Sequence, residues 1–198
     1  MIKVIIFDAD GVLLTGERFS VALAREYGIS EEKTRPFFVG PFRDCLVGKA
    51  DLKEVISPYL IEWGWTKGVD AILEYWFEAY QIVNQELVQY IKGLKQKGIL
   101  CFLATDNEKY RFAHMLDRFG FSKIFDKTYA SPYLGYKKIN PNFFLKIFQE
   151  LKNIDKKDIL FIDDDIENIV CAKEFGINVE LYTSLENLKR KISLLNKN

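Results

Sequence analysis

The sequence predicts an α/β protein: a parallel sheet flanked by helices, with a small all-helical module inserted after the first strand. Three observations carry this. Short, nearly all-apolar runs recur at residues 2–7, 99–104 and 159–162. Each is rich in β-branched or aromatic residues, as in a strand buried on both faces. Amphipathic helical patterns separate the later runs, which implies βαβ units. Residues 15 to about 84 differ: they carry helical periodicity and no convincing buried strand.

The elements follow in order. The first run ends in Asp8-Ala9-Asp10-Gly11. In the inserted block, Leu52, Val55, Ile56, Tyr59, Leu60 and Trp63 fall at helical spacing, as do Val69, Ile72, Leu73, Trp76, Phe77 and Tyr80. Each set makes a wide apolar stripe. Gly40-Pro41, Ser57-Pro58 and Gly64 divide the block into short helices, with Ser57-Pro58 either ending a helix or kinking one. The aromatic stripes read mainly as the core of this module, with some edges open to a substrate. Asn84 is placed to cap the helix that returns to the sheet. Weaker strands are expected at 127–130 and 178–181. Helices are expected at 142–151, on Phe143, Phe144, Ile147, Phe148 and Leu151, and at 165–175, on Ile166, Ile169, Val170 and Phe175. From Ser184 a charged surface helix docks through Leu185, Leu188 and Ile192, and its Lys189-Arg190-Lys191 run reads as solvated. Residues 1–14 and 85–198 thus form the α/β core domain, and 15–84 the helical domain.

Composition excludes several functions. The 198 residues hold 28 Lys+Arg and 28 Asp+Glu, so the net charge is zero. No overall field draws nucleic acid or an anionic membrane. Cys45, Cys101 and Cys171 lie far apart, with no Cys-x-x-Cys pair, which argues against a disulfide framework or a structural zinc site. No apolar run approaches a membrane span. The N-terminal run is short and ends in acid, unlike a signal peptide. A soluble, cytoplasmic protein is expected.

The chemistry-bearing residues follow the strand-like runs. In open parallel sheets, ligands bind at the carboxyl ends of strands. Here those ends carry Asp8 and Asp10, then Thr105-Asp106-Asn107, then Asp163-Asp164-Asp165, while Lys137-Lys138 precedes a helix starting near Asn140. Taken singly, each has a structural reading: an Asp as a helix N-cap, a Thr ending a strand, a surface Lys. Together they bring several acids to one crevice, where mutual repulsion opposes their ionisation. A divalent cation relieves that repulsion, and an all-oxygen set suits Mg²⁺.

At this point a family resemblance enters. Asp8-Ala9-Asp10-Gly11-Val12, Thr105, Lys138 and Asp163-Asp164 stand in the order and contexts of the haloacid dehalogenase-like (HAD) hydrolase superfamily, which this chain resembles. Residues 86–98 are similar to the helix before the second motif. Gly135-x-x-Lys138-x-x-Pro141-x-x-Phe144 is similar to the third motif. Asp163-Asp164-x-x-x-Asn168-x-x-x-Ala172-x-x-x-Gly176 is similar to the fourth. The resemblance implies a Rossmann-like core with a helical cap inserted after the first motif. It also implies a phosphatase that acts on a small phosphorylated metabolite: a sugar phosphate, a phosphoglycolate-like ester or a nucleotide.

The resemblance assigns roles residue by residue. Asp8 would be the nucleophile, forming an aspartyl-phosphate. Asp10 would be the general acid and then base, facing the same way as Asp8 if the strand pattern persists. Thr105 would hydrogen-bond the phosphoryl group, with Asp106 and Asn107 beside it. Lys138 would hold the nucleophile and neutralise phosphoryl charge. Asp164, Asp8 and the Asp10 carbonyl would bind Mg²⁺, and Asp163 would do so directly or through water. The Gly135 and Pro141 spacing favours Lys138 over Lys137. Asp106 stands where the family often has Asn; it either adds charge beside the phosphoryl group or accepts backbone N–H bonds. Asp165 reads as an N-cap, and Asn140 replaces a frequent Asp. His114 falls on a helix face and reads as packing. Phe19, Arg43 and Lys49 are candidates for substrate contact from the inserted block. The alternative activity is a sugar-phosphate mutase using the same intermediate, and a less favoured one is a phospho-Asp signalling or binding protein.

Overall fold

The computed structural model describes residues 1–78 and 82–197. Tyr80, the last residue of the second apolar stripe, lies outside them. The chain opens with β1 (Val4–Phe7) and the two-residue β2 (Leu14–Thr15). Five helices follow: α1 (Phe19–Tyr27), α2 (Glu31–Val39), α3 (Phe42–Cys45), α4 (Leu52–Trp63) and α5 (Val69–Glu78). Then come β3 (Ile82–Val83), α6 (Gln85–Gln96), β4 (Leu100–Thr105), α7 (Lys109–Arg118), α8 (Phe121–Ile124) and β5 (Lys127–Ala130). The chain ends with α9 (Ser131–Leu134), α10 (Pro141–Gln149), β6 (Ile159–Asp163), α11 (Ile166–Phe175), β7 (Asn178–Leu181) and α12 (Leu185–Lys197).

Five strands form one parallel sheet in the order β5-β4-β1-β6-β7. Every strand expected from the apolar runs is present, including the two weaker ones. Side-chain alternation splits the sheet between two cores. Ile5, Phe7, Cys101, Leu103, Leu160 and Ile162 pack with α6, α7 and α12. Val4, Ile6, Phe102, Ala104, Ile159 and Phe161 pack with α10 and α11. Cys101 is fully buried among apolar neighbours, and desolvation pushes its thiol up to about 12.

The helices of the inserted block have their own core, built on Phe19, Phe37, Trp63 and Trp76. Helix α4 continues through Ser57-Pro58, so the pair does not end it. The Ser57 hydroxyl donates to the Lys53 carbonyl at 2.6 Å, one turn back. Gly64 then ends the helix in the left-handed conformation. Leu14–Thr15 and Ile82–Val83 pair antiparallel, so the two connections to the block form one ribbon. This ribbon is the only strand character near the block among the described residues, and it escapes a periodicity reading because each strand is two residues long. As expected, the Asn84 side chain accepts from the Leu87 N–H and caps α6.

A second contact joins the block to helix α7. The Asp51 carboxylate accepts from Lys109 Nζ at 2.5 Å and from the Tyr110 hydroxyl at 2.9 Å. Those partners hold Asp51 down to about 2. His114 packs its ring between Phe77 and Phe119, at 5.5 and 5.6 Å, and burial lowers its pKa. No helix of the described residues is long and apolar enough to cross a membrane.

Candidate active site

The sheet register builds the site. Strand β1 is central, and Phe7 pairs with Leu103 of β4 and Ile162 of β6. Asp8 therefore leaves the sheet between the strands that end in Thr105 and Asp163. Its N–H still donates to the Ile162 carbonyl at 2.9 Å. The strand pattern does not persist to Asp10. The chain turns at once, with the Leu13 N–H on the Ala9 carbonyl and the Gly11 N–H on the Leu14 carbonyl. Asp10 reaches the site through this turn and not through strand alternation.

Gly11 makes the turn possible. Its φ is +78°, in the left-handed region, and a Cβ there would lie 2.0 Å from Asp164 Oδ2. Gly11→Ala both strains the turn and displaces the Asp164 carboxylate. We expect turnover to fall at least tenfold while the fold, read by far-UV circular dichroism, is retained. Unchanged kcat/KM would show that the close approach of Gly11 and Asp164 is dispensable.

Around Asp8 the charges interlock. Lys138 Nζ lies 2.5 Å from Asp8 Oδ1 and 2.7 Å from Asp163 Oδ2, and all three residues are buried. Asp163 Oδ2 also accepts from Asn168 Nδ2 at 3.2 Å, and Oδ1 accepts the Asp165 N–H at 2.8 Å. One oxygen each from Asp8, Asp163 and Asp164 come within 4.8 Å of one another. Burial raises Asp8 well above the usual carboxylate range, outweighing the pull of Lys138, and Asp163 adds to the rise. Burial opposes the Lys138 charge, yet the carboxylates of Asp8, Asp163 and Asp106 outweigh it and hold the ammonium above its ordinary value. Asp164 is raised by burial and by Asp163. One ammonium therefore faces more carboxylate than it can neutralise. An oxygen-only cluster with surplus negative charge fits a hard divalent cation such as Mg²⁺.

Asp10 is held by residues that follow β4. Its Oδ2 accepts from Asn107 Nδ2 at 2.7 Å, and its Oδ1 pairs with Arg111 Nη2 at 2.9 Å. Asn107 Nδ2 is also 2.7 Å from Thr105 Oγ1. Asp106 accepts the Lys138 N–H at 3.0 Å, the backbone-binding alternative of the two read for it. Burial raises its pKa, against Lys138. Lys137 stays partly exposed, with Nζ 3.9 Å from Asp106, whereas Lys138 turns inward as the spacing favoured. Asp165 and Asn140 accept the N–H groups of Glu167 and Asn142, and so act as N-caps.

Asp8, Asp10, Thr105, Asp106, Asn107, Lys138, Asp163 and Asp164 all line one cavity of about 730 Å³. Phe19 lines it too, but Arg43 and Lys49 are not among its lining residues. Sequence reasoning missed Arg111 and Glu108. Glu108 is buried, caps α7 through the N–H groups of Tyr110 and Arg111, and is raised by burial. A signal existed: Arg111 stands in the first turn of the helix following Thr105, at the carboxyl end of the sheet, where a long cation can reach the crevice.

A family model for haloacid dehalogenase-like hydrolases matches residues 2–176. Flavin mononucleotide hydrolase 1 of Arabidopsis thaliana is 29% identical over 116 residues, covering 55% of this chain and 46% of that protein. Drimenol cyclase drtB of Aspergillus calidoustus is 24% identical over 107 residues, covering 52% of this chain and 20% of that protein. The chain thus spans less than half the length of either relative. Among solved structures, a predicted HAD-like family hydrolase of Porphyromonas gingivalis aligns with a TM-score of 0.81 at 22% identity, covering 100% of this chain and 99% of that one. A HAD family enzyme of Bacteroides thetaiotaomicron, in complex with magnesium and inorganic phosphate, aligns with a TM-score of 0.81 at 22% identity, covering 95% and 99%. At that identity the likeness speaks for a shared fold.

Proposed function

Because the chain belongs to the haloacid dehalogenase-like hydrolase family, we propose that it is a Mg²⁺-dependent phosphatase acting on a small phosphomonoester through an aspartyl-phosphate on Asp8. The observation that carries the reading is the Asp8 carboxyl at 2.5 Å from buried Lys138, on the floor of a cavity that also holds Asp10. Residues 1–14 and 85–198 are the catalytic core in this reading, and 15–84 the cap that covers it. The magnesium and phosphate held by the Bacteroides protein, and the phosphate ester named for the Arabidopsis relative, support the same substrate class.

In the first half-reaction an Asp8 oxygen attacks phosphorus, the bond to the leaving oxygen breaks, and the Asp10 carboxylic acid donates a proton to that oxygen. In the second, Asp10, now a carboxylate, takes a proton from water as the water oxygen attacks phosphorus. The bond between phosphorus and the Asp8 oxygen breaks, phosphate leaves, Asp8 is again a carboxylate and Asp10 again a carboxylic acid. Lys138 keeps Asp8 in place and neutralises charge on the phosphoryl oxygens, and the Thr105 hydroxyl hydrogen-bonds the same group. Arg111 and Asn107 hold the Asp10 carboxyl in position. Asp8, Asp164 and the Asp10 carbonyl would hold Mg²⁺, with Asp163 as a direct or water-mediated ligand. When bound, the ion offsets the surplus carboxylate charge and that of the incoming phosphate.

The test uses acetyl phosphate and p-nitrophenyl phosphate with excess Mg²⁺. Chelation is expected to stop phosphate release, and restored Mg²⁺ to recover it. Asp10→Asn is expected to lower kcat by roughly 10²- to 10⁴-fold on p-nitrophenyl phosphate. Full activity after chelation would overturn the metal assignment, and full activity of the Asp10 variant would overturn its proton-transfer role.

A further inference from the structure

The inserted block gives the cavity a wall of a different character. Phe19, Phe38, Phe42, Leu46 and Trp76, drawn from α1, α2, α5 and the α3 segment, line the cavity that has Asp8 on its floor. Trp76 is the hub of this wall. Phe19 stacks on it at 4.8 Å and 18°, Phe38 meets it edge-on at 5.4 Å, and Phe42 tilts against it at 5.2 Å. Phe38 and Phe42 also meet edge to face at 5.5 Å. Phe19 and Trp76 are buried, whereas Phe38, Phe42 and Leu46 are only half-buried. The rings thus hold one another in place and keep part of their surface open.

Two hydroxyls on the same side are already engaged. Thr34 donates to the Glu31 carbonyl at 3.1 Å, and Ser20 donates to the Glu31 carboxylate at 3.0 Å. Arg18, Glu31 and Arg35 also line the cavity, but against the ring face itself a polyol would have its hydroxyls desolvated, which costs free energy wherever a hydrogen bond is not replaced. A flat ring instead gains area and edge or face contact with the rings. Arg35, which also lines the cavity, carries a planar guanidinium that stacks on rings. A volume of about 730 Å³ is that of a site for a ligand far larger than phosphate.

We infer that the preferred substrates are phosphomonoesters whose leaving group carries a flat aromatic or heteroaromatic ring, and that Phe38, Phe42 and Trp76 select them over sugar phosphates. The inference rests on the phosphatase reading and narrows its substrate.

Two measurements separate this inference from the phosphatase reading. In the first, phosphate release is followed for riboflavin 5′-phosphate and adenosine 5′-monophosphate against glucose 6-phosphate and phosphoglycolate, all of them esters of alkyl hydroxyls. At least one ring-bearing ester is expected to exceed glucose 6-phosphate by about 30-fold or more in kcat/KM. Phe42→Leu is expected to reduce that ratio about tenfold, mainly through KM. Equal or better turnover of glucose 6-phosphate overturns the inference and leaves the phosphatase reading standing. In the second, Asp8→Asn is titrated with each ester, with tryptophan fluorescence and calorimetry as readouts. Tighter binding of a ring-bearing ester supports the ring site even if no ester turns over, a result that would remove only the phosphatase reading. Equal or weaker binding of every ring-bearing ester than of glucose 6-phosphate overturns the inference. Should Phe42→Leu fail to fold, Phe38→Leu supplies the same comparison.

Discussion

Asp8→Asn is expected to abolish phosphate release, with kcat falling by roughly 10⁴-fold or more. The amide keeps the size of the carboxylate but is a poor nucleophile, so no aspartyl-phosphate forms. The same exchange removes one buried acid from a cluster that is short of positive charge. Burial lifts the Asp8 carboxyl above its ordinary range, so an ionised Asp8 costs folding free energy in the metal-free protein. Asp8→Asn should therefore be at least as stable as the parent without Mg²⁺, and should gain less Tm than the parent when Mg²⁺ is added. Rapid-quench trapping of phosphoprotein supplies a direct check: the parent accumulates an acid-stable, alkali-labile phosphoryl adduct and the variant does not. Residual turnover within tenfold of the parent would remove Asp8 from its role.

Lys138→Met is expected to have the second-largest effect, on stability as well as rate. Lys138 Nζ lies 2.5 Å from Asp8 and 2.7 Å from Asp163, and its side chain is 3% exposed. Removing one partner of a buried charge pair leaves the other uncompensated, at a cost of about 3–5 kcal/mol. A chain of this size then loses roughly 10 °C of Tm. The rate should fall by about 10²- to 10³-fold, the usual effect of losing one donor to the transferring group. Mg²⁺ should restore more stability to this variant than to the parent, because the ion then meets three carboxylates with no ammonium among them. Thermal melts with and without Mg²⁺ read this directly. A variant as stable as the parent and indifferent to Mg²⁺ would refute the charge balance described for the cluster.

Much of the architecture is legible before any coordinates because two periodicities rarely coincide by chance. Val4 and Ile6 pack on one side of the sheet and Ile5 and Phe7 on the other. Such a run has no polar face, and a strand in the middle of a parallel sheet needs none. That Asp10 comes to the cavity was legible, but its route was not. The turn at Gly11 carries it into the cavity after β1 has ended at Phe7. The β2–β3 ribbon was not legible, since two residues show no alternation.

The linear chain determined which acids and which hydroxyl gather at the strand tips, because a parallel sheet sends all its carboxyl ends to one edge, and the motif around Lys138 marked the lysine of the segment that follows β5 and α9. Packing alone decided the surroundings of that edge. Arg111 grips Asp10 from 101 residues away, and Lys138, the lysine that the Gly135 and Pro141 spacing favours, finds two buried acids for its one ammonium. The same held for the helical block, where Phe37 is sealed in the core while Phe38 and Phe42 keep a face toward the cavity. Residue type and spacing are alike for a ring that fills a core and a ring that greets a ligand, and only the distance to the next atom tells them apart.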